Sequence, residues 1–160
     1  METFRIYVDT SVLGGCFDAE FAMWSNGFVR DFRLGRLVPV LSDVTAAEVR
    51  DAPEPVRELH QELPLLAGAV LRVTEEAVSL AAAYQARGVL GARFRLDMLH
   101  IAVATLAQVD ALVSWNFRHI VRLDKIRLFN AVNAELGHNA LSILSPREVT
   151  THEGGKDSGR

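Results

Sequence analysis

The sequence lacks the paired cysteines that stabilise many small secreted domains. Cys16 is the single cysteine among 160 residues, so no disulfide can form within the chain, and this composition favours a reducing compartment. The sequence also opens without a basic and then apolar leader. Its marked apolar run, residues 98–109, is shorter than the roughly 20 residues that a membrane span needs. We therefore expect a cytoplasmic protein that does not enter a membrane.

An excess of positive charge is also missing. The chain has 17 Lys and Arg residues against 20 Asp and Glu, a formal net charge of -3. This argues against strong non-specific binding of nucleic acid but leaves room for a local basic patch. Hydrophobic residues make up 49% of the chain, which is enough for a sizeable core in one domain. We place that domain at residues 1–150 and expect the polar residues 151–160 to form a disordered tail.

Familiar catalytic signatures are absent from the sequence: a Gly-rich dinucleotide loop, a phosphate-cradling Gly-Lys motif and a Ser-His-Asp arrangement. What the chain does contain is a regular alternation of strand-like and helix-like segments. Strands are predicted at 4–8, 37–41, 70–73, 111–114 and 141–144, a short turn or helix at 11–17, and helices at 20–34, 44–50, 55–60, 75–87, 97–109 and 124–136. This order predicts an α/β fold with a central, mostly parallel sheet of four to five strands flanked by helices.

Isolated polar side chains stand at the ends of these core elements. Asp9 directly follows the first strand, and Asn116 follows the fourth. Glu48 and Asp97 lie on helices that can bring their side chains to the same rim. In a parallel sheet, ligands bind beyond the carboxyl ends of the strands. Because an unpaired buried charge is costly, the three acids suggest one shared cation.

Four motifs follow one another along the chain. They are Ile6-Tyr-Val-Asp-Thr-Ser11, Ser42-Asp-Val-Thr-Ala-Ala-Glu48, Asp97-Met-Leu-His-Ile-Ala-Val-Ala104 and Ala111-Leu-Val-Ser-Trp-Asn-Phe117. In this order and at these spacings they resemble the PIN domain, the metal-dependent ribonuclease fold of VapC-type toxins. The similarity covers roughly residues 4–149, including the segment 130–149. It implies a PIN-like three-layer sandwich.

The resemblance implies a catalytic set of Asp9, Glu48, Asp97 and Asn116, in which the three acids would bind Mg²⁺ or Mn²⁺. These ions prefer oxygen ligands, and they activate water and stabilise the leaving oxygen in phosphodiester hydrolysis. Asn116 departs from the family, which usually has a fourth acid there. This change removes one negative charge and argues against tight binding of a second metal. The resemblance further implies an RNA substrate, a small antitoxin partner and a homodimer.

Basic residues border both sides of the predicted acidic rim. One group shortly precedes Asp97 and the other follows Asn116. A polyphosphate substrate needs such cations beside an acidic pocket. The two groups comprise Arg87, Arg93, Arg95, Arg118, His119, Arg122, Lys125 and Arg127. We assign to substrate binding Arg93, Arg95, Arg118 and His119, together with Ser11.

Each acid also has a simpler structural interpretation. Asp9 could cap the turn after the first strand, and Glu48 could be a solvated helix residue. Asp97 could favour the positive N-terminal end of its helix. His100 lies one turn after Asp97, and we interpret it as a packed histidine that is hydrogen-bonded near the site.

Two other functions stay open at the level of sequence. A haloacid-dehalogenase-type phosphatase also begins with a strand followed by Asp, but it needs a second acid two residues later, where this chain has Ser11. The stronger alternative is a PIN-like module that binds RNA or a protein without cutting, because Asn116 replaces an acid. Metal-dependent RNA cleavage that EDTA abolishes would separate these functions.

Overall fold

The computed structural model describes residues 3–66 and 68–150, and its centre is a five-stranded parallel sheet. The strands are β1 (Phe4–Val8), β2 (Leu37–Ser42), β3 (Ala69–Leu71), β4 (Ala111–Val113) and β5 (Ile143–Leu144). The helices are α1 (Thr10–Gly15), α2 (Ala22–Arg33), α3 (Asp43–Val49), α4 (Glu54–Glu62), α5 (Glu75–Ala86), α6 (Arg95–Ala107), α7 (Leu123–Glu135) and α8 (Pro146–Val149). Every strand pair is parallel, so the predicted "mostly parallel" sheet is parallel throughout.

The strand order is β3-β2-β1-β4-β5, which places β1 at the centre of the sheet. The chain runs outward from β1 through β2 to β3 and then returns to the other side of β1 with β4. Tyr7 of β1 lies opposite Val40 of β2 and Leu112 of β4. The order of strands therefore reverses between β1 and β4, and such a switch point leaves a crevice at the carboxyl ends.

Helices cover both faces of the sheet, because successive side chains of a strand point to opposite faces. Tyr7 packs into a cluster with residues of α5, α6 and α7. Its neighbours Ile6 and Val8 pack on the other face with residues of α1, α2 and α4. The predicted three-layer α/β sandwich is therefore confirmed.

Helix α6 is the most deeply buried helix, as its apolar sequence predicts. All eight residues from Met98 to Thr105 are buried, so the helix has no solvent-facing stripe in this stretch. It ends at Gln108, which adopts the left-handed conformation with φ of 54°. This burial fixes the position of Asp97, which lies in the first turn of α6.

Some details differ from the sequence predictions. Helical spacing predicts that Leu136 faces the core, but it caps the end of α7 and is 43% exposed, because the helix stops one residue earlier. The short helix α8 is not predicted from the sequence. It is stabilised by a capping box in which Ser145 and Glu148 bond reciprocally. The tail predicted to be disordered, residues 151–160, lies outside the described residues. Among the helices of the described ranges, none is both long enough and apolar enough to span a membrane.

Candidate metal centre

Asp9 lies at the carboxyl end of the central strand, where it is 5% exposed. It caps α1, and its Oδ2 accepts hydrogen bonds from the Ser11 hydroxyl at 2.6 Å and the Ser114 hydroxyl at 2.8 Å. The capping role expected as an alternative is therefore present. The capping hydrogen bonds use only Oδ2 of Asp9. The other carboxylate oxygen, Oδ1, lies 3.4 Å from Nε2 of His100. Asp9 thus both fixes the turn and faces the crevice.

Glu48 is brought to the same place by α3, and its side chain is 25% exposed. Its Oε1 accepts hydrogen bonds from the Thr10 hydroxyl at 2.5 Å and from Nε2 of His100 at 2.7 Å. Burial alone would raise the pKa of Glu48. The hydrogen bond from His100, the charge of His100 and the hydrogen bond from Thr10 together outweigh burial, so the pKa of Glu48 is lowered. Glu48 is therefore held as a carboxylate and is not the freely solvated helix residue of the simpler interpretation.

His100 is fully buried between these two acids. Its Nδ1 lies 2.7 Å from the Tyr7 hydroxyl, which in turn lies 2.6 Å from the Ser42 hydroxyl. Burial acts to lower the pKa of His100, but Tyr7, the Glu48 hydrogen bond and the Asp9 charge raise it well above its usual value. This direction favours the protonated form of the ring, in which both nitrogens donate hydrogen bonds. In its neutral form, His100 would offer a ligand nitrogen within 4.8 Å of the carboxylate oxygens of Asp9 and Glu48.

Asp97 stands beside this group at the outer side of the crevice, with a side chain that is 20% exposed. Burial, followed by the charge of Asp9, raises its pKa to about 6. The charge of Glu48 also contributes to the rise, which shows that the three carboxylates share one electrostatic environment. Such a cluster of like charges is unfavourable until a cation enters it.

Asn116 lies next to Asp97 but presents its amide nitrogen to that carboxylate, with Nδ2 3.5 Å from Oδ2. The amide oxygen of Asn116 accepts the backbone N–H groups of Arg118 at 3.1 Å and His119 at 3.0 Å. This bonding pattern fixes the amide orientation. The carbonyl oxygen that could serve as a ligand is thus used to cap the following turn, so the catalytic role assigned to Asn116 stays a prediction.

The predicted substrate-binding residues fall into different positions. Ser11 connects Asp9 to the loop after β4, because its hydroxyl also accepts the Trp115 backbone N–H at 2.9 Å. Arg93 lies over the ring of Phe94 at 5.0 Å. Arg95 is exposed at the first residue of α6.

Arg118 and His119 belong to the turn after Asn116. The His119 ring packs against Phe94 with 3.9 Å between ring centroids, and its Nδ1 lies 3.7 Å from Oδ2 of Asp97. Arg118 is exposed. Arg118 and His119, with Arg122 and Lys125, line a cavity beside the carboxylates. The assigned substrate-binding roles of these side chains remain predictions.

Several contributors to the centre have no role assigned from the sequence. Tyr7 and Ser42 support His100, Thr10 supports Glu48, and Ser114 supports Asp9. Tyr7 could have been found from strand alternation, which points it to the face covered by α6. The hydroxyl partners of Asp9 and Glu48 carry no comparable signal, because short polar residues at element ends are common.

Three solved structures share this architecture. The structure of FitAB bound to an IR36 DNA fragment has a TM-score of 0.57 at 17% identity, covering 92% of this chain and 99% of that chain. FitAcB from Neisseria gonorrhoeae has a TM-score of 0.58 at 17% identity, covering 90% and 99%. VapBC2 from Rickettsia felis, bound to a DNA fragment from its promoter, has a TM-score of 0.52 at 10% identity, covering 88% and 98%.

The chain has a PIN-type fold. The structural likeness extends over most of the chain, and it agrees with the resemblance that the four motifs carry. At 10–17% identity the likeness concerns the fold and not the reaction. No protein-family model matches the sequence, and neither does any curated protein sequence.

Proposed function

We propose that the chain is a metal-dependent endoribonuclease that hydrolyses RNA phosphodiester bonds as the toxin of a toxin–antitoxin pair. The observation that carries this proposal is the convergence of Asp9, Glu48 and Asp97 at the end of the central strand, beside a group of cations. Acids alone would repel an RNA backbone, and cations alone would hold it without chemistry. Side by side, they provide a place for a divalent cation and a means of holding phosphates next to it.

The donor set fits Mg²⁺ or Mn²⁺, because it consists of hard carboxylate oxygens. Hydrogen bonds occupy Oδ2 of Asp9 and Oε1 of Glu48. The second oxygen of each carboxylate would hold the ion, together with Asp97. When bound, the ion supplies an activated water and stabilises the leaving oxygen. The raised pKa of Asp97 supports this assignment, because after burial the charges of Asp9 and Glu48 contribute to the rise, and a cation would relieve that repulsion.

The chain's own residues would keep this centre in shape. Two hydroxyls hold Asp9, while His100 and Thr10 hold Glu48. His100 supplies a buried positive charge against two of the acids. A protonated His100 would balance one negative charge and Asn116 adds none, so the charge that remains would suit one divalent ion better than two.

A small antitoxin partner is part of the proposal. The structures with the same fold are the FitAB, FitAcB and VapBC2 assemblies, and two of them contain DNA fragments. By analogy we propose that this chain also pairs with a second, small protein and forms a homodimer. Cytoplasmic location belongs to the same proposal, because RNA and such a partner would be met there.

A second candidate function is favoured by the orientation of Asn116. Its carbonyl oxygen caps a turn and its amide nitrogen faces Asp97. A centre with three acids could then bind RNA or a partner protein without cleaving it. The alternative differs from the first proposal in one measurable property, which is turnover of RNA.

Incubation of the purified chain with RNA and Mn²⁺ or Mg²⁺ tests the proposal. Cleavage should occur with either metal, stop with EDTA, and be lost in Asp9→Asn. The matched control is Asp51→Asn, which changes an exposed carboxylate in the turn after α3 and should cleave normally. RNA binding without cleavage by the wild type under all metal conditions would favour the binding module. Cleavage that persists in Asp9→Asn or in EDTA would contradict a metal centre at Asp9.

A further inference from the structure

A basic cavity of about 390 Å³ lies beside the carboxylate centre. Its lining includes Val89, Phe94, Arg118, His119, Arg122 and Lys125. One wall is the loop that follows α5, and the other is the turn after β4 together with the start of α7. The volume lies in the range of small-ligand sites, and the side chains that can carry charge at pH 7 are all basic.

The charges of this cavity are only partly compensated. Arg122 forms an ion pair with Asp124 at 2.8 Å. Within the described part of the chain, Arg118 and Lys125 form no ion pair. Lys125 donates one bond to the Val89 carbonyl at 2.8 Å, which leaves two ammonium protons. Partial burial and then Arg118, Lys125, Arg122 and Arg93 lower the pKa of His119. The cations therefore act together on one small volume.

The cavity and the carboxylate centre meet at His119. Its Nδ1 lies 3.7 Å from Oδ2 of Asp97, and its ring packs on Phe94, which also lines the cavity. The backbone N–H of His119 is held by Asn116 at 3.0 Å. An anion in the cavity would thus lie next to a ligand group of the proposed metal centre.

We propose that the basic cavity binds a phosphate group of an RNA backbone whose neighbouring phosphodiester lies at the carboxylate centre. The assignment to RNA rests on the proposed ribonuclease function, whereas the anion site itself does not. Arg118 and Lys125 would contact the phosphate oxygens, because they have unused donors. Arg122 would contribute charge at the rim, and the turn at His119 would hold the two sites at a fixed separation.

The test is RNA binding in EDTA, where no metal is available for cleavage. The probe is a short, fluorescently labelled single-stranded RNA, and its affinity is measured by anisotropy over a range of salt concentrations. Arg118→Gln combined with Lys125→Gln should weaken binding about tenfold or more, and it should reduce the slope of log affinity against log salt by about 0.7 for each phosphate that is no longer neutralised. The matched control is Arg30→Gln, which changes an exposed arginine of α2 on the opposite face of the sheet from α7, and it should leave both quantities unchanged.

Two further measurements keep the inference falsifiable. Lys125→Arg retains the charge and should preserve the salt slope, even if the Val89 contact is altered. Inorganic phosphate should displace the RNA from the wild type at lower concentration than from the double variant. An unchanged slope in the double variant, or an equal loss of affinity in Arg30→Gln, would overturn the cavity as a substrate site. Phosphate binding without RNA binding would reduce it to a site for a small anion and overturn the RNA assignment.

Failure of this inference can be told apart from failure of the proposed function. If the wild type cleaves RNA with Mn²⁺ but the double variant binds and cleaves normally, the cavity inference is wrong and the ribonuclease proposal stands. If RNA binding depends on Arg118 and Lys125 but no metal supports cleavage, the ribonuclease proposal is wrong and the phosphate site stands.

Discussion

Replacing Asp97 by Asn should stabilise the metal-free protein, although Asp97 is proposed to be a ligand. The folded-state pKa of Asp97 is about 6, against an ordinary value of 3.8. A raised pKa means that the folded protein binds this proton more tightly than the unfolded chain does. The tighter binding of this proton therefore contributes fully to the free energy of unfolding below about pH 4, and the contribution is lost as the pH rises through about 6. At neutral pH, the folded wild-type protein is destabilised by the negative charge of Asp97, which Asn does not carry.

The size of the effect follows from the same shift. A difference of roughly 2 pKa units corresponds to about 3 kcal/mol. The side chain is 20% exposed, and solvent screening reduces this value, so we expect a gain of about 1–2 kcal/mol. For a domain of this size, this gain raises the melting temperature by roughly 2–8 °C. The gain should fall to about half of its neutral value near pH 5, because the wild-type carboxyl is then mostly protonated in the folded state.

Thermal unfolding in EDTA at about pH 7.5 and about pH 5 measures both quantities. The control is Asp51→Asn, which removes an exposed carboxylate in the turn after α3 and should change the melting temperature little. With Mn²⁺ the wild type should gain stability as the site fills, and Asp97→Asn should gain much less. A loss of stability in Asp97→Asn, or a gain that does not depend on pH, would refute the raised pKa of Asp97 that burial and the neighbouring carboxylates produce.

Two further substitutions address the supports of the centre. Tyr7→Phe removes the hydroxyl between His100 and Ser42 and should cost about 1–3 kcal/mol in urea unfolding, because a buried ring N–H loses its acceptor. The control is Tyr84→Phe, which removes a remote buried hydroxyl bonded to Asn133. It should also destabilise the fold but leave Mn²⁺ binding unchanged, whereas Tyr7→Phe should weaken Mn²⁺ binding. Equal Mn²⁺ affinities in the two variants would show that His100 does not support the metal centre. Asn116→Asp should tighten Mn²⁺ binding in calorimetric titration. It should also lower the melting temperature in EDTA, because a carboxylate would then face Asp97. An unchanged Mn²⁺ affinity would place residue 116 outside the coordination sphere.

The fold can be predicted from local patterns because the elements are strongly marked. Strand β1 is a short apolar run that ends at Asp9, and the apolar run of α6 can be accommodated only by a buried helix. The alternation of strands and helices then implies a parallel sheet and a crevice at its carboxyl ends. The helix α8 escapes prediction, because its four residues are too few to show a period and its stability depends on the capping box and on packing.

The inner arrangement of the site cannot be predicted in the same way. The bond between His100 and Glu48 joins α6 to α3 across 52 residues of sequence, and nothing local in either segment indicates it. The sequence places His100 near the site as a packed histidine, which is its observed environment, but not as the cation between two acids. The orientation of Asn116 is equally hidden, because it is decided by the backbone N–H groups of the turn that follows it.

The separation of charge within the site bears on how an RNA would reach it. With a net charge of -3, the whole molecule does not attract a polyanion, so capture must depend on the local cations of the basic cavity. The cavity adjoins Asp97 through His119, whose Nδ1 lies 3.7 Å from Oδ2 of Asp97, and the Debye length is about 8 Å at physiological ionic strength. The carboxylate centre is therefore within reach of the field of these cations, while more distant surface charges are screened. Added salt should accordingly weaken RNA capture before it affects the geometry of the buried centre, where Asp9 and His100 are shielded from solvent.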